Sequence, residues 1–258
     1  MAGLIVSSIV SAQGPVEAEL AFAKMAKESS VKQAFLYFAD TSAAVFQQGK
    51  VLNAIRAWQR VPESGGQLQW APVFAALSGA GDLGFTTGGF TFSAPGTDTI
   101  QGAGQYSTIW NKTTSGEWKF LADLGVSNEY TVNAFPALHV FSHLVPAPGT
   151  ATVDGLEAAL VKDLSRLKNK AYTSYIVAES WFNVDGVKAL TDSTMILEHL
   201  SLLPDSMVFS PVRTGMSSSN DLGFVYGISM VQGKKENYLR IWGHTSSGWK
   251  ILLQVIKK

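Results

Sequence analysis

Hydrophobic and polar positions along the chain follow first a helical and then an alternating pattern. Apolar side chains recur at three- and four-residue spacing from Pro15 onward, and proline is favoured at the first position of a helix. This spacing predicts helices at 15–29, 31–39 and 50–61. Alternating runs rich in aromatic and β-branched residues follow, and they predict strands at 68–79, 82–92, 104–113 and 117–126.

The second half of the chain repeats this order with closely similar residues. "DLGF" occurs at 82–85 and again at 221–224, and "YSTIW" at 106–110 matches "YLRIW" at 238–242. Helical spacing occupies 155–180, and alternating runs predict strands at 206–215, 221–231, 237–245 and 248–256. Two copies are too few for a solenoid. The chain is therefore interpreted as a tandem duplication of one α+β domain, with helices packed against an antiparallel sheet.

The repeat sets the expected domain boundaries. The first domain covers 15–127, a Pro- and Gly-rich linker covers 128–153, and the second domain covers 154–258. Residues 1–14 are apolar and end in a small-residue cleavage pattern around Ala12, although a positive amino-terminal region is missing. They are interpreted as an export-signal remnant, which predicts a periplasmic or secreted protein. A frayed extension, a buried strand and a cytoplasmic location remain as alternatives.

Composition excludes several functions. Twenty basic residues balance twenty acidic ones, so no charge excess favours nucleic acid. The chain has no cysteine, and its four histidines fit no metal-binding motif, so we expect no metal and no cofactor. No apolar run is long enough to span a bilayer. Four glycines within 81–92 predict bulges or bends in a strand.

The order of these motifs resembles the nuclear transport factor 2-like superfamily, in its SnoaL-like bacterial branch. The resemblance rests on a leading helix, "GDLGFTTG", a strand that ends in Trp110, and "SGEWKFLADLG", and it is looser in the second half. It implies two cone-shaped α+β domains, also described as cystatin-like rolls, in which helices and a curved sheet enclose a pocket. Some members of the superfamily are isomerases, dehydratases or polyketide cyclases, and others only bind ligands or assemble. Fold alone therefore does not assign an activity.

Asp123 is the candidate catalytic residue, because it is an acidic residue in an otherwise apolar strand. Strict alternation places Asp123 on the face of Lys119 and Leu121, opposite Phe120. The matching position in the second copy is Gln254, which cannot act as a base. Candidate ligand-binding residues are the aromatic and polar side chains at matching strand positions, together with two aromatic residues of the first domain: Tyr106, Thr108, Trp110, Tyr238, Arg240, Trp242, Tyr37 and Trp58. An aromatic core or a domain interface is the alternative, and the pattern favours it.

These observations favour a non-catalytic protein that binds a small apolar or weakly polar ligand or has an assembly role. The alternative is an isomerase, dehydratase or cyclase that uses Asp123. Domains of this superfamily commonly pair through their sheets, so the resemblance implies that the two copies form a pseudo-dimer within one chain. We therefore expect a monomer in solution.

Overall fold

The fold is described from a computed structural model of the chain. The structure describes residues 14–63, 65–128, 136–203 and 207–258. The segment interpreted as an export-signal remnant lies outside these residues except for Gly14, and so does the 129–135 part of the predicted linker.

The first half of the chain forms one sheet with three helices. In chain order, its elements are α1 (Pro15–Glu28), α2 (Val31–Phe38), β1 (Ala39–Gln47), β2 (Lys50–Asn53), α3 (Ala54–Arg60), β3 (Gln67–Trp70), β4 (Phe74–Leu77), β5 (Leu83–Ser93), β6 (Ile100–Lys112), β7 (Trp118–Asn128) and β8 (His139–Phe141). The strand order is β2-β1-β7-β6-β5-β4-β8, and β3 pairs with β5. Strand β8 belongs to the segment predicted as linker, and it pairs with β4.

The second half forms a smaller sheet on the same plan. Its elements are α4 (Val153–Leu167), a 3₁₀ helix (Lys168–Ser174), β9 (Trp181–Val184), α5 (Ser193–Leu202), β10 (Val208–Met216), β11 (Leu222–Val231), β12 (Lys234–Thr245) and β13 (Gly248–Ile256). The strand order is β10-β11-β12-β13-β9. The predicted α+β class with two tandem units is confirmed.

Local chemistry explains where the helices begin. Pro15 opens α1, the Ser30 hydroxyl accepts from the Gln33 amide at the start of α2, and Thr152 caps α4 in the same way. The predicted helix at 50–61 is partly wrong, because residues 50–53 form β2. Asn53 ends this strand, and its side chain caps α3 by accepting from the Arg56 amide.

The sheets also contain parallel pairs that the sequence analysis did not predict. Strand β1 lies parallel to β7, and β9 lies parallel to β13 in the matching position. Both β1 and β9 were missed, because neither shows the clear alternation of the hairpin strands.

Two matching glycines explain part of the unusual glycine content of the repeated strand. A Cβ atom on Gly88 would lie 2.1 Å from the Ala71 carbonyl oxygen, and one on Gly227 would lie 2.2 Å from the Ser210 carbonyl oxygen. Each glycine therefore allows another backbone segment to approach the strand closely.

The helices cover one face of each sheet, and the opposite faces of the two sheets pack on each other. The first sheet contributes a set of apolar side chains that includes Phe85, Ile109 and Leu124, while the second contributes Phe224, Leu239 and Leu253. All six are at most 3% exposed. The two copies thus share one apolar core between their sheets, which is the arrangement expected of an intrachain pseudo-dimer.

The repeated aspartates join the two domains in a reciprocal contact. Asp82 accepts from the Ser218 amide at 2.9 Å and from the Ser218 hydroxyl, and Asp221 accepts from the Gly79 amide at 2.8 Å. Each aspartate also accepts at 2.8 Å from the serine four residues before it, Ser78 or Ser217. The sequence motif therefore forms a turn, as its Asp residues suggest, and also a symmetric link between the copies.

We expect Asp82→Ala and Asp221→Ala each to lower the free energy of unfolding by about 1–3 kcal/mol, because each removes the charged acceptor of a buried serine, Ser78 or Ser217, and of an amide in the other domain. Urea denaturation would measure the change. Asp98→Ala, at an exposed position, is the matched control. Equal effects at Asp98 and Asp82 would contradict a specific role for the interdomain contact.

Candidate active site and ligand cavity

A buried carboxylate anchors the interior of the first domain. Glu19 of α1 is 0% exposed. Its Oε1 accepts from Trp70 Nε1 at 2.5 Å, and its Oε2 accepts from Thr86 Oγ1 at 2.5 Å and Trp110 Nε1 at 3.0 Å. Burial raises the pKa of Glu19 to about 7, although these three donors oppose the shift. These hydrogen bonds fix α1 against the sheet.

The second domain has a matching carboxylate with a different partner. Glu157 of α4 accepts from Trp242 Nε1 at 2.7 Å and from Arg240 Nη1 at 2.5 Å. Arg240 is 0% exposed, and its Nε donates to Gln254 at 2.6 Å. Tyr172 and Gln254 also share a hydrogen bond and are fully buried. A buried ion pair and its neighbours therefore occupy the interior of the second domain.

The first domain instead has a cavity of about 240 Å³ between its helices and its sheet, and this cavity is partly open to the surface. Most of its wall is apolar, and two polar side chains reach it. The lining residues are Phe22, Phe35, Leu68, Trp70, Phe90, Tyr106, Asp123 and Gly125.

The Tyr106 side chain forms part of this wall, and its hydroxyl group is buried. Among the described residues its hydroxyl has no hydrogen-bond partner, although the side chain is only 6% exposed. Burial raises the pKa of Tyr106 well above its ordinary value, and the negative charges of Glu19 and Asp123 add to the shift, while the nearby Thr86 side chain, which makes no well-aligned hydrogen bond to the Tyr106 hydroxyl, opposes it. The phenol therefore stays protonated and can donate a hydrogen bond.

Asp123 also reaches the cavity, which corrects the strand face predicted by simple alternation. Ile109 pairs with Ala122 and Trp110 pairs with Phe120, so Leu121 is an extra residue in β7. This bulge places Asp123 and Phe120 on the same, helix-facing side of the sheet. The same bulge occurs in the second domain, where Leu252 is the extra residue.

The environment of Asp123 favours its protonated form more than water does. Burial raises its pKa to about 6, while Thr108 Oγ1 opposes the shift by donating to its carboxylate at 2.7 Å. At neutral pH most of the carboxylate is ionised, and it can accept a proton or a hydrogen bond.

A second cavity of about 360 Å³ adjoins the first one and shares Phe35, Asp123 and Gly125 with it. Trp58 lines this adjoining cavity and stacks on Phe35, with a ring-centroid distance of 4.1 Å. Asp123 therefore lies at the junction of two spaces.

The structure brings together only part of the predicted site. Tyr106, Thr108, Asp123 and Trp58 lie at or beside the cavities, while Trp110 is fully buried behind them on Glu19. Tyr37 does not line either cavity: its ring is 51% exposed and lies under the Lys119 ammonium group. This placement contradicts a pocket role for Tyr37, because the side chain of this α2 residue points to the surface.

The three candidates of the second domain also lie away from the cavity of the first. Tyr238, Arg240 and Trp242 are fully buried and surround Glu157. An anionic ligand is not needed to neutralise Arg240, because Glu157 already does so.

Sequence reasoning missed Glu19 and Glu157, although a signal was present. Each acidic residue interrupts the apolar face of the first helix in its copy, four residues after Pro15 or Val153. An acidic residue that recurs on an apolar helix face predicts a buried, hydrogen-bonded carboxylate.

Other kinds of site find no support in the described part of the chain. No cluster of three or more His, Asp or Glu side chains there is arranged to hold a metal ion. None of the described helices combines the length and the apolar character that a bilayer crossing needs.

Comparison with known proteins identifies related folds. No family model and no curated protein matches the sequence. Among solved structures, an NTF-2 like protein of unknown function from Shewanella oneidensis matches with a TM-score of 0.34 and 13% identity, covering 41% of this chain and 96% of its own.

Two further solved structures cover a similar share of this chain. A candidate ketosteroid isomerase from Parabacteroides distasonis has a TM-score of 0.35 and 13% identity, covering 45% of this chain and 90% of its own. A protein of unknown function with a cystatin-like fold from Nostoc punctiforme has a TM-score of 0.34 and 13% identity, covering 44% and 87%. Each spans less than half of this chain, and at this identity the likeness concerns the fold and assigns no activity.

We expect Glu19→Gln to lower the free energy of unfolding by about 1–3 kcal/mol, because its amide group cannot accept from all three donors. The pKa of Glu19 rises from 4.5 to about 7 on folding, so the folded protein binds a proton more tightly than the unfolded chain. The contribution of Glu19 to the free energy of unfolding is therefore lost as the pH rises from 4.5 to 7. Glu19→Gln removes the titrating group, so the free energy of unfolding should fall less steeply with pH in this range.

Urea denaturation between pH 4 and pH 8 measures both effects. Glu17→Gln is the matched control, since Glu17 lies on the exposed side of the same helix. An unchanged pH slope in Glu19→Gln would show that Glu19 does not titrate in this range.

Proposed function

We propose that the first domain binds a small, mostly apolar ligand that carries one polar group, and that the second domain acts as its structural partner. The observation that carries this proposal is an apolar cavity lined by Asp123 and by Tyr106, whose buried hydroxyl has no hydrogen-bond partner among the described residues. Buried polar groups in native proteins normally have partners. A ligand hydroxyl or carbonyl would supply one to Tyr106.

The size of the cavity limits the ligand. An apolar cavity of about 150 Å³ holds benzene, so the 240 Å³ cavity suits a compound of about two fused rings. The adjoining cavity leaves room for a substituent that passes Asp123. A mostly apolar pocket with a few polar groups is typical of small-molecule sites.

The contrast between the two domains supports assigning the ligand to the first. In the second domain, Arg240 and Gln254 stand at the positions of Thr108 and Asp123. There the long Arg240 side chain extends to Glu157 and is fully buried. The interior that is open in the first domain is therefore occupied by side chains in the second.

A binding experiment with 2-naphthol and naphthalene tests this proposal. We expect calorimetry to show saturable binding of both compounds. Tyr106→Phe and Asp123→Asn should each weaken the binding of 2-naphthol by about 3–10-fold, which corresponds to the loss of one hydrogen bond. The affinity for naphthalene should stay the same.

Two control variants sharpen the result. Tyr37→Phe removes a tyrosine hydroxyl outside the cavity and should change neither affinity. Gly125→Val should abolish binding of both compounds, because a Cβ there meets only ordinary contacts at 3.7 Å and longer, and the added methyl groups enter the cavity. Failure of both compounds to bind the unmodified protein would contradict the proposal.

A second candidate function is proton transfer, in which Asp123 acts as a general base. The raised pKa of about 6 and the neighbouring Tyr106 hydroxyl favour it. Asp123 would remove a proton from carbon next to a carbonyl group, while Tyr106 donates to the carbonyl oxygen. Isomerases of the superfamily that the sequence resembles provide a precedent for such activity.

Exchange of the α-hydrogens of 1-indanone in deuterated water, followed by NMR, tests this candidate. We expect a catalysed rate that rises with pH through about 6, because the ionised carboxylate is the base. Asp123→Asn should reduce exchange to the uncatalysed rate, and Asp98→Asn should not. Binding of 2-naphthol without catalysed exchange would support the non-catalytic function.

A further inference from the structure

We infer that a polar cluster between the sheets makes a first domain pair with a second domain and not with another first domain. This inference does not depend on the ligand cavity. It rests on a difference between two otherwise equivalent contacts in the pseudo-symmetric interface.

The cluster consists of Asn183 from the second domain and two hydroxyl groups from the first. Asn183 Nδ2 donates to Thr87 Oγ1 at 2.8 Å and to Ser107 Oγ at 3.0 Å. All three residues are 0% exposed. Trp181 Nε1 donates to Asn183 Oδ1 at 2.9 Å, and Thr87 Oγ1 donates to the Tyr106 carbonyl oxygen at 2.5 Å. These contacts fix the orientation of the Asn183 side-chain amide, because both its nitrogen and its oxygen have hydrogen-bond partners.

The register of the sheets identifies the equivalent contact on the other side. Thr87 pairs with Ser107 in the first sheet, and the matching pair in the second sheet is Tyr226 with Leu239. Val45 lies beside Asp123 as Phe182 lies beside Gln254. The residue after Val45, Phe46, therefore corresponds to Asn183.

The equivalent contact is apolar. The Phe46 ring packs on the Tyr226 ring at 5.3 Å with an edge-to-face geometry, and Leu239 belongs to the same apolar core. On one side of the interface, the Asn183 amide therefore meets hydroxyl groups. On the other side, the Phe46 ring meets an apolar surface.

Exchange of partners would mismatch both contacts. Two first domains would bring Phe46 against Thr87 and Ser107, whose hydroxyl groups would lose the Asn183 donor. Two second domains would bury the Asn183 amide against the Tyr226 ring and the Leu239 side chain, without the Thr87 and Ser107 hydroxyl groups that accept from it here. Burial of a polar group without a partner is unfavourable, so both symmetric pairings are disfavoured.

The contacts of the repeated aspartates cannot make this distinction. Asp82 with Ser218 and Asp221 with Gly79 are reciprocal, so each domain presents an aspartate and an amide donor at this point. Such groups would satisfy one another in any pairing of the two domains. The Asn183 cluster is not reciprocal, and it therefore distinguishes the pairings.

The test compares the full-length protein with Asn183→Leu, which keeps the side-chain size and removes the amide. Two differently tagged batches are mixed, incubated in mild urea, and returned to buffer. Light scattering then gives the mass, and capture of one tag measures exchange with the other. We expect the unmodified protein to have the mass of one chain, 27.7 kDa, without exchange. Asn183→Leu should give a two-chain species and at least tenfold more exchange.

Three further variants define the interpretation. Thr87→Val with Ser107→Ala removes the acceptors from the opposite side, and it should also cause exchange. The triple variant, which combines these changes with Asn183→Leu, makes the contact apolar throughout. The triple variant should exchange as much as Asn183→Leu does, because no polar group remains to distinguish one domain from the other. Phe46→Leu, the control at the equivalent position, should leave the chain monomeric.

A stable dimer of the unmodified protein in which two first domains pair, as shown by cross-linking between them, would overturn the inference. So would Asn183→Leu and the Thr87/Ser107 variant if both fold, as judged by circular dichroism, and both remain monomeric without exchange.

Discussion

Each sheet in this protein has two apolar faces, and the helices of its own domain can cover only one of them. The other face must be buried against a second surface of the same size and chemistry, and the duplicated copy provides it. Apolar side chains such as Ile109 and Leu253 fill the contact. The hydrophobic effect favours burial of the two faces against each other, but it is non-directional and does not set their orientation. The reciprocal Asp82 and Asp221 contacts and the Asn183 cluster then fix how the two faces meet.

The two copies have kept one framework and diverged in their interiors. In both, a glutamate of the first helix binds a tryptophan of the central strands, through Glu19 with Trp110 and Glu157 with Trp242. A carboxylate without charge compensation has a raised pKa, as Glu19 shows. In the second domain Arg240 compensates the charge and also occupies the space. The same buried acid is therefore compatible with an open interior in one copy and a filled one in the other.

The bulge in β7 links the fold to the candidate chemistry. A single extra residue, Leu121, turns Asp123 towards the helices instead of towards the second sheet. Asp123 there lines the same cavity as Tyr106 and several apolar side chains, and burial raises its pKa. The glycine at position 125 leaves space beside it.

The sequence by itself determined the duplication, the α+β class, most hairpin strands and the equivalence of Asp123 with Gln254, because periodicity and repeated motifs are local signals. It did not predict β1, β9, the face of Asp123 or the buried partners of Glu19. A bulge shifts side-chain alternation without changing composition, and parallel strands pair with residues far along the chain. Whether Arg240 fills an interior or binds a ligand depended on Glu157, 83 positions away. Only tertiary structure brings such residues together, because distance in space is not encoded in local pattern.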